Sequence, residues 1–192
     1  MTVPVAKAHR LLAPRIAYLI GTRDHLGTPN AILVSNVTSV STDPQHILLA
    51  VHKKWHTYEV LLDREGFALS VPLMDHLEGV WKLATRYSHY PTTSPREKLA
   101  MSGLSFDYDA SQHGPVLVNG TGWMDCRTIQ CTDLGGDHGI IIGQPQHVWF
   151  NPEFLSPEGV PHTQTSPLMQ VTGNRFTTTG RIMQIPYYGR DS

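Results

Sequence analysis

The chain has 192 residues, a formal net charge of −1 and only 16% charged residues. This length fits one domain with a substantial core, read here as residues 1–192 with a Pro-rich extension at about 150–167. The even charge balance, with no Lys/Arg run, argues against nucleic acid or an anionic membrane as partner, and no apolar stretch has the length of a membrane span.

Sixteen glycines and fourteen prolines give a turn-rich chain without the composition of a disordered one. Cys126 and Cys131 form neither a zinc knuckle nor a disulfide framework. Residues 1–10 lack the apolar run of a leader, so a soluble, cytoplasmic protein is expected.

Residues 1–14 read as a lead-in broken by Pro4 and Pro14. Ile16 to Thr22 reads as a buried strand, followed by a hairpin turn around Gly27 and a return strand from Asn30 to Ser35. A hydroxyl-rich run, Ser35, Asn36, Thr38, Ser39 and Ser41, then leads to the Asp43-Pro44 turn, and Ile47 to Val51 is the next strand. Short connections between these strands predict an antiparallel meander and not a βαβ unit.

Thr57 is the expected N-cap of a short helix with Val60, Leu61 and Leu62 on its apolar face. Phe67 to Val71 is the fourth strand, and Leu77, Val80, Trp81 and Ala84 fall at helical spacing within 75–85. Residues 86–96 read as a polar-aromatic loop suited to a lid, with a short helix at 97–101. Pro115 to Val118 is extended; Thr121 to Asp133 and Gly139 to Trp149 form a hairpin about Gly135 and Gly136. Residues 150–167 are irregular, and a last extended piece is expected over 176–187. Hairpin-linked strands with inserted helices predict a mainly β fold, a closed or nearly closed antiparallel barrel of Greek-key type.

Three stretches carry candidate chemistry. The hydroxyl run at 35–41 is either a solvated strand end or a rim that binds a polar ring edge or a phosphate. Lys53, Lys54 and His56 precede a helix start at Thr57, which is either a basic surface turn or an anion site built on unpaired amides. His52 and His56 have i,i+4 spacing, but without a nearby carboxylate of a zincin-type motif a metal is not expected. His138 sits beside two glycines, either simply exposed or on the substrate side of a site. A nucleophile elbow, a Walker loop and a dinucleotide fingerprint are all missing from the sequence.

In this order the features resemble the flavin reductase-like family, the FMN-binding split β-barrel proteins. The matching pieces are Pro14 to Thr22, Gly27 to Ala31, Ser35 to Pro44, Lys54 to Thr57 with Gly66 to Val71, and Gly136 to Gly143. The resemblance implies a homodimer with FMN, or FAD, near the subunit interface. By motif position, Val34, Ser35, Asn36, Val37, Thr38 and Ser39 line the isoalloxazine and ribityl chain. Lys53, Lys54, His56 and Thr57 hold the phosphate, and His138 lies by the nicotinamide or the reactive face of the flavin.

The implied activity is NAD(P)H-dependent reduction of flavin by hydride transfer to N5, which needs mainly positioning. A monooxygenase is a possible recipient of the reduced flavin. The alternatives are a barrel binding FMN, or another planar cofactor such as haem, as an electron carrier or for a specialised substrate, and an interaction barrel without cofactor. The 150–167 stretch is expected either to wrap a partner subunit or to narrow the substrate pocket.

Overall fold

The computed structural model describes residues 2–84 and 94–180. Its centre is a seven-stranded antiparallel sheet. The strands are β2 (Tyr18–Arg23), β3 (Pro29–Val34), β4 (Val37–Thr42), β5 (Gln45–His52), β6 (Gly66–Val71), β9 (Gly122–Asp133) and β10 (His138–Phe150). The order across the sheet is β3-β2-β6-β9-β10-β5-β4. The two edge strands, β3 and β4, are consecutive in the chain and joined only by Ser35 and Asn36. The sheet therefore curls round one core and stays split between them, as the sequence predicts.

Period-two alternation sorts the side chains. Ile20, Ile32, Val34, Leu49, Phe67, Leu69 and Ile141 point inward and form one buried cluster, which Leu61 of α1 (His56–Asp63) joins. Leu19, Ala31 and Leu33 point outward and form a second cluster with Val80 and Leu83 of α2 (Leu77–Leu83) and Leu99 of α3 (Pro95–Ser102). Strand β3 is thus clamped from both faces, α1 joining the inner cluster and α2 and α3 the outer one, and all six of its residues are buried although it is an edge.

Two small sheets complete the fold. β1 (Arg15–Ile16) pairs with β11 (Met169–Thr172), which pairs with β12 (Arg175–Thr177). β7 (Phe106–Asp107) pairs with β8 (Val116–Leu117).

Several local expectations need correction. The lead-in contains a 3-10 helix over Val5–Leu12. The first strand is broken at Ala17, whose amide bonds Leu168 O at 2.8 Å, so Arg15 and Ile16 join the small sheet. The hydroxyl run does not leave the sheet: Val37–Thr42 is a strand in its own right, its ladder with β5 bulged between Ser39 and Ser41. Thr57 is not an N-cap, because α1 starts one residue earlier with Trp55 at the cap position and no side-chain cap. α3 has the cap that α1 lacks, Ser94 Oγ accepting from the Glu97 amide at 3.2 Å. Of 176–187, only Phe176 and Thr177 are seen in a strand, Arg175–Thr177; residues 181–187, and 85–93 with most of the expected lid, lie outside the described residues.

Candidate functional site

An edge strand leaves half of its backbone donors and acceptors without ladder partners. Those of β3 run beside a cavity of about 830 Å³, which Asn30, Ile32, Leu33, Val34, Ser35 and Asn36 line in succession. That volume falls within the ~300–1,000 Å³ of small-molecule sites. The wall continues through the β5–α1 turn, the β9–β10 hairpin, α2, α3 and the small sheet.

The start of α1 forms one end of the cavity, with Lys54, Trp55, His56 and Thr57 in its wall. No side chain caps the helix, so its first amides and its dipole favour an anion there. Thr57 is buried, and Asn30 Nδ2 donates to its Oγ1 at 3.4 Å, tying β3 to α1. Asn30 Oδ1, by contrast, is buried without a donor. Arg15 Nε is in the same condition, although its Nη1 donates to Asn36 Oδ1 at 2.7 Å. Buried polar atoms are seldom left unpaired, and these two, one acceptor and one donor, belong to residues of the same wall.

His138 opens β10 beside α1. The chain can come that close because Gly139 follows: a Cβ there would lie 2.1 Å from the Tyr58 ring. Asp137 Oδ1 is 2.7 Å from His138 Nδ1. A carboxylate only accepts, so Nδ1 carries the proton and Nε2 is the atom left for a ligand. The hydrogen bond and charge of His138 hold the Asp137 carboxyl below the usual carboxylate range. His52 packs edge-on to His138 with ring centroids 5.3 Å apart and stacks on Trp55 at 5.8 Å. The Lys54 amide donates to His52 Nδ1 at 3.1 Å, so in neutral His52 the proton is on Nε2, which lies 4.0 Å from Asp137 Oδ2.

Of the residues that the sequence singled out, Val34, Ser35, Asn36, Lys54, His56, Thr57 and His138 line this cavity. Ser35 Oγ donates to Gln170 Oε1 at 2.8 Å, so the rim is braced by β11. Val37, Thr38, Ser39 and Lys53 are not brought to the cavity. Val37 packs on the inner core. Thr38 and Ser39 are exposed on β4, where Thr38 Oγ1 donates to Ser39 O at 3.3 Å and Gln45 Nε2 donates to Ser39 Oγ at 2.9 Å. Lys53, unlike Lys54, bonds Asp133, whose carboxyl it holds low.

His52 ends β5 and His56 opens α1, so they share no helix. Among the described residues no cluster of three or more His, Cys, Asp or Glu could hold a metal ion. No described residue of 150–167 lines the cavity; the stretch folds on itself and delivers β11, whose Gln170 does.

Sequence reasoning missed Arg15, Asn30 and Lys98. Lys98, on α3, is buried at 6% exposure in the cavity wall, and desolvation pushes its pKa down to about 8. Among the described residues, Arg15, Lys54 and Lys98 face the cavity with four histidines against a single carboxylate, Asp137. The site is built for anions and for a ligand with both donors and acceptors on its edge.

Comparison with known proteins gives a consistent picture. The family model for the flavin reductase like domain matches residues 10–178. An uncharacterized protein of Pyrococcus abyssi is 24% identical over 172 residues, covering 90% of this chain and 94% of that one. The reductase component of a flavin-dependent trigonelline monooxygenase of Acinetobacter baylyi is 26% identical over 121 residues; the match covers 63% of this chain but only 35% of that protein. Among solved structures, the FMN-binding protein of Thermus thermophilus superposes with a TM-score of 0.77 at 18% identity, covering 97% of each chain. The NADH:FAD oxidoreductase of Streptomyces globisporus superposes with a TM-score of 0.72 at 18% identity, covering 94% of this chain and 97% of that one.

Proposed function

Because this chain belongs to the flavin reductase-like family, we propose that its cavity binds FMN and that the protein is an oxidoreductase reducing that flavin with NAD(P)H. The observation that carries this reading is the buried free edge of β3, with the orphaned Asn30 Oδ1 and Arg15 Nε, running to the uncapped start of α1. A flavin ring edge carries both carbonyl acceptors and an N–H donor, which matches one orphaned acceptor and one orphaned donor. The phosphate goes to the α1 start, where Lys54 adds charge to the helix amides and Thr57 a hydroxyl.

When bound, the flavin supplies a ring that accepts a hydride at N5. The chain's own contribution is positional. The β3 edge with Ser35 and Asn36 orients the ring, and Ile32 and Val34 exclude water from one side of it. His138 presents Nε2, backed by Asp137, and can hold or release a proton there while His52 and Trp55 fix its ring plane.

The same reading includes a homodimer, and a monooxygenase as recipient of reduced flavin. The monooxygenase reductase component among the sequence relatives and component B of the Bacillus cereus nitrilotriacetate monooxygenase among the structural ones support that partner. The test is an absorption and fluorescence titration of the purified protein with FMN. Saturable binding with a perturbed flavin spectrum is expected; a protein that neither carries nor binds flavin contradicts the proposal.

A further inference from the structure

The two residues that join the edges of the split barrel, Ser35 and Asn36, are each held by a side chain of the small sheet. Gln170 of β11 holds Ser35, and Arg15 of β1 holds Asn36. Gln170 and Arg15 stand directly opposite each other in the β1–β11 pair, so their side chains leave the same face of that sheet.

The hydrogen bonds round Gln170 run in one direction. The Gly173 carbonyl in the β11–β12 turn can only accept, and Gln170 Nε2 donates to it at 2.8 Å. That turns Gln170 Oε1 toward Ser35, where it accepts from Ser35 Oγ at 2.8 Å. The single hydroxyl proton of Ser35 is thereby used, and what Ser35 offers the cavity is a lone pair. Its neighbour has the opposite polarity. Arg15 can only donate, so Asn36 Oδ1 faces it at 2.7 Å and the Nδ2 donors of Asn36 remain for a ligand. The Asn36 backbone is fixed as well, its carbonyl accepting from the Ala50 amide at 2.9 Å.

We propose that Gln170 is a positioning residue that sets the hydrogen-bond polarity of this rim. By taking the Ser35 proton it makes Ser35 an acceptor only, beside Asn36 as a donor. The pair then selects a ligand edge on which an N–H adjoins a carbonyl oxygen. The inference rests on the flavin reading: oxidised isoalloxazine has one such edge, its N3–H between two carbonyls. Donation to Gln170 also polarises the Ser35 oxygen and strengthens it as an acceptor.

The experiment is fluorescence titration of FMN and of N3-methyl-FMN, whose N–H donor is replaced by a methyl group, into the full chain. The proteins are wild type, Gln170→Met, Ser35→Ala, the double variant and Arg175→Met. Arg175 is exposed on the neighbouring β12 and serves as the control. The readout is the ratio of the two affinities. A merely structural loss weakens both flavins alike and leaves that ratio unchanged.

Wild type should prefer FMN by about tenfold or more, as for a hydrogen bond lost inside a site. Gln170→Met frees the Ser35 hydroxyl to turn, and should lower the preference by about threefold or more. Ser35→Ala should lower it at least as far. The double variant should lower it no further than Ser35→Ala alone, because Gln170 acts through Ser35. Arg175→Met should keep the wild-type ratio. The inference is overturned if Gln170→Met keeps that ratio, or if the double variant loses the combined effects of the two single ones. If wild type binds both flavins equally, the inference falls and the flavin reading stands; if it binds neither, the flavin reading falls and takes the inference with it.

Discussion

Asp137 and His138 are neighbours in sequence and bonded to each other, with Asp137 Oδ1 2.7 Å from His138 Nδ1. The carboxylate fixes the proton on Nδ1 and leaves Nε2 to the cavity. Asp137→Asn removes that bias, since an amide can donate to or accept from Nδ1. On the flavin reading, this variant should bind FMN normally but slow reduction by NADH by about tenfold, less than the ~10²–10⁴-fold of a whole proton-transfer group because His138 itself remains. Stopped-flow reduction at saturating flavin checks it; an unchanged rate removes His138 from the chemistry.

The two adjacent lysines have different partners. Lys54 lines the cavity, whereas Lys53 is bonded to Asp133 on the far side of the hairpin. Lys54→Ala and Thr57→Ala should each weaken FMN by roughly 1–3 kcal/mol. Lys53→Ala should leave FMN affinity unchanged. Riboflavin, lacking the phosphate, should bind all three variants alike, which a parallel fluorescence titration would show.

Gly139 lets α1 and β10 approach. A methyl group at that position would sit 2.1 Å from the Tyr58 ring. Gly139→Ala must displace Tyr58 or the first residues of β10, at a cost of about 1–3 kcal/mol. Chemical denaturation measures that loss. Because His138 is the preceding residue, FMN-dependent NADH oxidation should fall further than the stability change alone accounts for.

Lys98 also makes a stability prediction. Its folded pKa is lowered from 10.5 to about 8 by burial. Below about pH 8 both folded and unfolded states hold the proton, and the folded state bears the whole desolvation cost. Between about pH 8 and 10.5 the unfolded state binds more protons, so stability rises with pH over that window. Lys98→Met should therefore be more stable than wild type at pH 7, by an amount on the order of 3 kcal/mol at most. The difference should shrink as the pH passes through that window. Urea unfolding of both proteins across it tests the sign directly.

Much of this fold is legible in the sequence because its strands obey period two and its turns use Gly27, Asp43-Pro44 and Gly135. Strand β4 was not legible: Val37 to Thr42 is hydroxyl-rich like a loop, and only pairing with β5 reveals it as a sheet edge. Thr38 and Ser39 enter the expected site by motif position in the family resemblance, and the fold leaves both exposed on that strand. The β5–α1 turn and His138 were legible because each stands at the junction of two recognisable elements.

Arg15 and Asn30 fall within stretches that carry the family resemblance, but nothing local marks them, or Lys98, as residues of the site. Asn30 matters because its Oδ1 is orphaned, and Lys98 because α3 folds it inward. Both are consequences of tertiary packing. A lysine between Glu97 and Leu99 on a helix reads as an ordinary surface residue.

The most direct test of the central claim is anaerobic titration of the FMN-loaded protein with NADH and with NADPH, following the visible absorption of the flavin. Stoichiometric bleaching by at least one of them, reversed on admitting oxygen, is the predicted result. Flavin that stays bound and oxidised in the presence of both nucleotides would contradict the account and leave a flavin-binding barrel without reductase activity.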